Sequence, residues 1–271
     1  MDKISIVTVT YNCKNDVEKT IKSVLDLDYP NIEYIVIDGA SKDGTVDIIK
    51  TYADRIDYWI SEPDKGIYDA MNKGIAAATG EWIIFMNAGD WFYRNTVLTN
   101  FFAQVNSDTT IAYGDIMIVG EHFKYHLVPP PMNRMTTQMV VKHQATFVRL
   151  KYHKQHLFDI TYKSSGDYAF FYRACYGDKV KFQYVPVCVA NFNNYGTSNV
   201  NFRTSFRENR RIWGKTRDYC FILKQEIMFV LWDMNRWLKN HLMSEKSKID
   251  HEKNKASRKG TVYELHENID I

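Results

Sequence analysis

Residues 4–10, ISIVTVT, form a short β-branched run, and runs of the same kind return at 32–37, 58–60 and 82–86, with a helical stretch after each of the first three. Strand followed by helix at this spacing closes as right-handed βαβ crossovers on a parallel sheet, so the pattern predicts an α/β fold. The predicted helices cover 17–25, 46–52 and 67–79. The first opens on Asn15-Asp16-Val17-Glu18, the form of an N-cap with its following Glu, and Asp69 and Lys73 stand i, i+4 on one face of the third, where an ion pair is expected.

Three of these strands end in turns that carry acids. Asp38-Gly39 follows the second, Glu62-Pro63-Asp64-Lys65-Gly66 the third, and Asn87-Ala88-Gly89-Asp90 the fourth. Ligands of open α/β sheets bind beyond the carboxyl ends of the strands, so three successive junctions offer carboxylates to one cleft. That cleft suits a ligand with hydroxyls, N–H donors and a metal-bound diphosphate.

The second half is less regular and predicts a mixed sheet. It reads as a helix near 96–104, a strand at 111–113 with Asp115 after it, a Pro129-Pro130-Pro131 loop, a strand at 145–148 behind His143-Gln144, and a helix at 168–176 behind Gly166-Asp167. A strand at 181–189, a polar loop at 191–199 and helices at 201–213 and 217–241 follow. The expected organisation is one α/β domain over 1–200, with halves 1–95 and 96–200, a helical region over 201–243 and a flexible tail over 244–271, whose few apolar residues and mixed charge give it little to bury.

The overall charge of +3 conceals an asymmetry: residues 200–243 hold nine Lys and Arg against four Asp and Glu, while 244–271 hold six of each. A slightly acidic first part argues against nucleic acid as partner, and the basic helical region admits an anionic membrane surface. The apolar face of 217–241, with Trp232, Arg236, Trp237 and Lys239, fits either peripheral membrane contact or packing on the domain or in a homodimer. Cysteines 13, 175, 188 and 220 form no CxxC pair and predict reduced thiols and no zinc site; with no signal peptide or membrane span in view, a cytoplasmic location is expected.

Taken in order, Ser5-Ile6-Val7-Thr8-Val9-Thr10-Tyr11-Asn12, Ile37-Asp38-Gly39 through Asp43-Gly44-Thr45, Asp64-Lys65-Gly66-Ile67-Tyr68-Asp69-Ala70-Met71-Asn72-Lys73-Gly74, Gly80-Glu81 through Asn87-Ala88-Gly89-Asp90, and more loosely Tyr113-Gly114-Asp115, His143-Gln144 and Gly166-Asp167-Tyr168, resemble a family 2 glycosyltransferase of the GT-A fold. The resemblance covers about the first 200 residues. It implies a GT-A nucleotide-binding sheet flanked by helices, with C-terminal helices beyond it. It also implies inverting transfer of a hexosyl or N-acetylhexosaminyl group from a nucleotide-sugar donor, a UDP-sugar, to a glycan or lipid-linked acceptor in surface polysaccharide biosynthesis.

By the same resemblance Thr8 and Tyr11 line the nucleoside pocket, Asp38 bonds the base or ribose, and Asp64, Lys65, Asn72, Lys73 and Asn87 contact the donor. Asp90 is the metal ligand for Mg²⁺ or Mn²⁺; Asn87 and Gly89 stand where many relatives carry further acids, leaving one carboxylate. Asp167 is the general base, and Asp115 and His143 are weaker candidates for acceptor or diphosphate contact. The 191–198 loop would close over the donor. A catalytically impaired nucleotide-sugar-binding or scaffold protein is the alternative. A nucleotidyltransferase fits less well, because Tyr11-Asn12-Cys13-Lys14 after the first strand is no Gly-rich phosphate loop.

Overall fold

The computed structural model describes residues 1–193 and 202–264. The first half runs β1 (Ile4–Thr10), α1 (Val17–Leu25), β2 (Ile32–Asp38), α2 (Thr45–Thr51), β3 (Tyr58–Ser61), α3 (Ile67–Ala77) and β4 (Trp82–Phe85). It continues with β5 (Trp91–Phe92), α4 (Val97–Phe102), β6 (Ile111–Val119), β7 (Phe123–Leu127), β8 (Thr146–Arg149), α5 (Leu150–Gln155), α6 (Gly166–Tyr172) and β9 (Phe182–Asn193). Helices α7 (Phe202–Ile212), α8 (Tyr219–Leu242) and α9 (Glu245–Ser257) precede the last strand, β10 (Val262–Glu264).

The strands lie in the order β10-β7-β6-β8-β4-β1-β2-β3, with β9 paired to β6 and β5. β4, β1, β2 and β3 are parallel, while β8, β7 and β10 join antiparallel, which is the mixed sheet expected. Every residue of β1 is buried because helices cover both faces of the sheet: Ile6 and Val36 pack in the layer with α1, Val7 and Ile37 in the layer with α3. Two-sided burial is why these strands read as unbroken apolar runs.

Three local expectations are corrected. Asp16 does not cap α1 with its side chain; the Asp16 and Val17 amides both donate to the Cys13 carbonyl instead. Lys73 pairs with Glu62 at 2.8 Å and bonds the Pro63 carbonyl, leaving Asp69 to accept from the Lys65 amide at 3.0 Å. Asp115 lies within β6, which continues to Val119.

The tail is the largest correction. Residues 245–257 are helical, opened by Ser244, whose hydroxyl accepts from the Ser247 amide. β10 then pairs antiparallel with β7, and Gly260 lies so close to the His126 carbonyl that a Cβ would overlap it. Docking here is mainly through the main chain and a single small residue, Ala256, is buried, so apolar composition gave no sign of it.

Candidate active site

The 87–90 turn beyond β4 is fixed from α1. The Thr20 hydroxyl donates to the Asp90 carbonyl at 2.7 Å and accepts from the Gly89 amide, whose φ of 101° is open to glycine at little cost. The Asp90 carboxylate is buried, and it accepts from Gln144 Nε2 at 3.0 Å and the Asn193 amide at 3.3 Å. Burial raises its pKa to about 6, against the opposing charge of His143 and the bond from Gln144.

Next to Gln144, His143 joins two distant segments. Its Nδ1 meets Asp167 Oδ2 at 3.0 Å and its Nε2 meets Asn87 Nδ2 at 3.1 Å. The neutral tautomer that satisfies both carries its proton on Nδ1. Asp167 enters at the start of α6, where Gly166 packs against the ring of Tyr68 and has no room for a Cβ. Asp167 Oδ1 accepts from the Tyr68 hydroxyl at 3.2 Å and the Tyr168 amide at 2.8 Å.

Burial alone would raise the Asp167 pKa, but the bond and charge of His143, the Tyr168 amide and the charge of Lys142 together hold it below the ordinary carboxylate value. Among the described residues, three of the four lone-pair positions of this carboxylate are therefore engaged, and one remains on Oδ2. An ionised, oriented carboxylate with one position left over can accept a proton from a hydroxyl that approaches it.

Comparison with known proteins agrees with this geometry. The model of the family described as "Glycosyl transferase family 2" matches residues 5–166. The chain belongs to that glycosyltransferase family. A "PGL/p-HBAD biosynthesis glycosyltransferase" of Mycobacterium bovis is 26% identical over 198 residues, covering 71% of this chain and 77% of the relative. An "Uncharacterized glycosyltransferase" of Mycobacterium tuberculosis is 33% identical over 150 residues, covering 53% of this chain and 57% of the relative.

Among solved structures, S. aureus TarS 1-349 superposes with a TM-score of 0.60 at 18% identity, over 78% of this chain and 65% of that one. The mannosyltransferase PcManGT of Pyrobaculum calidifontis gives 0.57 at 16%, over 70% and 56%. At these identities the likeness is one of fold, and it is the GT-A fold. The chain thus spans under two-thirds of either solved neighbour's length.

For this glycosyltransferase the structure sorts the expected donor contacts into two groups. Tyr11 is exposed, and its ring converges with the Asp64 carboxylate over Gly39, where a Cβ would overlap Asp64 Oδ2. Lys65 is exposed on the adjoining loop, and Asn87 Oδ1 is buried with no bonding partner among the described residues. These four stand beyond the ends of β1, β3 and β4.

The other four are inside the protein or committed to it. Thr8 is fully buried, and its hydroxyl donates to the Met86 carbonyl at 2.8 Å and lies 3.1 Å from the Tyr34 hydroxyl. Asp38 is likewise fully buried; its carboxylate accepts from the Ser41 amide and hydroxyl and from the Ser61 hydroxyl at 2.6 Å. It ties the turn after β2 to the end of β3. Asn72 spends both ends of its amide on the Phe158 main chain, each at 2.9 Å, and Lys73 braces the 62–63 segment. The bonds these four make brace the loops that carry Tyr11, Asp64 and Lys65.

Asp115 accepts from the Tyr184 hydroxyl at 2.7 Å and lies 3.0 Å from His126 Nε2, in a cavity with Arg94 and Cys188. It shares no bond with Asp90, His143 or Asp167. Of the 191–198 loop, residues 194–198 lie outside the described residues. Tyr68 and Gln144 are the site residues that sequence reasoning missed. Both lie within the quoted motifs, but their bonds cross 99 and 54 residues of chain, which no local pattern reveals.

Proposed function

We propose that the chain is an inverting glycosyltransferase that moves a hexosyl or N-acetylhexosaminyl group from a UDP-sugar to a hydroxyl of a glycan or lipid-linked oligosaccharide, in surface polysaccharide biosynthesis at the cytoplasmic face of a membrane. The observation that carries the reading is Asp167: a buried carboxylate held ionised and oriented by His143, Tyr68 and the Tyr168 amide, with one lone-pair position free. It takes the proton of the acceptor hydroxyl as that oxygen attacks the anomeric carbon. His143 is a positioning residue that links this base to Asn87 on the donor side.

Support for the donor comes from two relatives in fold: TarS was solved with UDP-GlcNAc, and PcManGT with GDP-Man and Mn²⁺. Tyr11 offers a stacking face for a base, Asp64 a carboxylate for base N–H or ribose hydroxyls, and Lys65 a cation for the diphosphate.

Among the described residues no cluster of three or more His, Cys, Asp or Glu is placed to hold a metal alone. The residues present nonetheless fit Mg²⁺ or Mn²⁺, because such ions take one or two carboxylates and complete their shell with substrate phosphates and water. Asp90 and the unpartnered Asn87 Oδ1 would be the protein's contribution. When bound, the ion neutralises charge on the departing nucleoside diphosphate. A thermal-shift screen across UDP-, GDP- and TDP-sugars, with and without Mn²⁺, tests the donor. The largest shift is expected for a UDP-sugar and is expected to need Mn²⁺; stabilisation by GDP-sugars alone would refute the UDP reading.

Helix α8 supports the membrane part. No helix among the described residues is long and apolar enough to cross a membrane. Yet Leu223, Ile227, Val230, Leu231, Trp237 and Leu242 of α8 are exposed, and Phe229 is the one large apolar side chain of this helix that is fully buried. Trp237 is 57% exposed, and Arg236 lies over the Trp232 ring at 4.8 Å. Aromatic and cationic groups at the margin of an apolar face suit the headgroup level of a bilayer. Flotation with anionic liposomes is expected for the wild type and lost in Trp232→Ser/Arg236→Glu/Trp237→Ser; equal flotation, or none for either, would reject it.

A further inference from the structure

On the Asp167 side of the site a cavity of about 440 Å³ opens between the 129–142 segment, β6 and the turn after α9. All the charged side chains that line it are cations: Arg134, Lys142, Arg258 and Lys259. None of the four forms an ion pair with a carboxylate among the described residues. Gln138 adds an amide, and the remaining walls are small or apolar.

The fold brings these like charges together through the main chain. Gly260 sits against the His126 carbonyl, the His126 amide donates to the Thr261 carbonyl at 2.9 Å, and the Lys259 amide closes the end of α9 on the Ala256 carbonyl at 2.8 Å. With β10 paired to β7, Arg258 and Lys259 are fixed across from Arg134 and Lys142. Lys142 pays for the arrangement: burial lowers its pKa, the charge of Lys259 lowers it further, and Asp167 alone opposes them. Arg134, Arg258 and Lys259 are open to solvent, and four cations gathered around one cavity without counter-charges repel one another, a cost that an anion entering between them removes.

Resting on the reading of Asp167 as the base that receives an acceptor hydroxyl, we propose that this cavity binds a phosphate or diphosphate group carried by the acceptor. The donor's diphosphate belongs with Asn87 and Asp90. Lys142, which lines the cavity, acts by its charge on Asp167. An acceptor held here by its phosphate presents the attached sugar's hydroxyls on the Asp167 side. Such an acceptor is a sugar phosphate or a sugar diphosphate, free or joined to a lipid.

The test is calorimetric titration of inorganic pyrophosphate into the full chain already saturated with UDP, so that the donor's diphosphate site is filled. Pyrophosphate is expected to bind the wild type. Arg258→Gln/Lys259→Gln is expected to weaken that binding at least tenfold, and Arg134→Gln, on a separate segment, to weaken it independently should the tail variant lose its fold. Absence of pyrophosphate binding to the UDP-saturated protein, or equal binding by folded variants, would overturn the proposal. So would competition between pyrophosphate and UDP, which would assign the anion to the donor's site. No sugar is transferred in this titration, so its failure leaves the transfer reading standing, and absence of transfer by a protein that binds pyrophosphate would sink that reading alone.

Discussion

Asp167→Asn is expected to lower the rate of sugar transfer by ~10²–10⁴-fold, because a general base contributes to the chemical step. Asparagine is nearly isosteric and its Oδ1 can still accept from the Tyr68 hydroxyl and the Tyr168 amide. Its amide nitrogen, however, meets the Nδ1–H of His143 donor to donor, so the ring must take the other tautomer and Asn87 must turn its Oδ1 toward Nε2. That exchange keeps the hydrogen-bond count, and the change in stability should stay within ~1 kcal/mol. Single-turnover kinetics and a melting curve on the same sample separate the two effects. A variant that melts early yet keeps its specific activity would assign Asp167 a structural role.

Asp90→Asn is expected to abolish metal-dependent transfer and, without metal, to stabilise the protein above neutral pH. The folded-state pKa of about 6 lies above the usual 3.8, so the protonated side chain favours folding. That contribution is full below the unfolded value and is lost as pH rises through about 6. At pH 8 the wild type therefore holds a buried carboxylate ion, at a cost on the order of 1–3 kcal/mol. Asparagine removes the charge but turns a donor toward either Gln144 or Asn193, which offsets part of the gain. Urea unfolding with EDTA should show the variant more stable at pH 8 and equal to the wild type near pH 4. Wild-type transfer that persists in EDTA, or a variant less stable at both pH values, would contradict this role.

The same trade explains which parts of the site were legible in the sequence. The strands announced themselves because burial on both faces demands continuous apolar runs, and the junction acids followed from where those runs stop. Residue type and position alone could not say which acids face the cleft. Asp38 closes β2 and Asp64 lies three residues past β3, yet the pattern treats both as junction acids; Ser41 and Ser61 enclose the first, while the second converges with Tyr11 over Gly39. Thr8, Asn72 and Lys73 are held by partners distant in sequence, Tyr34, Phe158 and Glu62, which the local pattern does not reveal. The tail was illegible for a different reason: β10 is held by main-chain bonds and a close approach at Gly260, which hydrophobic pattern does not record. Only after it docks do Arg258 and Lys259 face Arg134 and Lys142.

Inverting transfer is decided most directly by the anomeric configuration of the sugar that leaves the donor. The purified chain, incubated with Mn²⁺ and the nucleotide sugar that gives the largest thermal shift, can be followed by proton NMR as water or an added sugar phosphate takes the glycosyl group, before the free sugar equilibrates. Expected is nucleoside diphosphate appearing in step with a sugar whose anomeric configuration is opposite to that of the donor, slowed by ~10²–10⁴-fold in Asp167→Asn. A first-formed sugar of retained configuration, or release of pyrophosphate in place of nucleoside diphosphate, would contradict single displacement with Asp167 as the base.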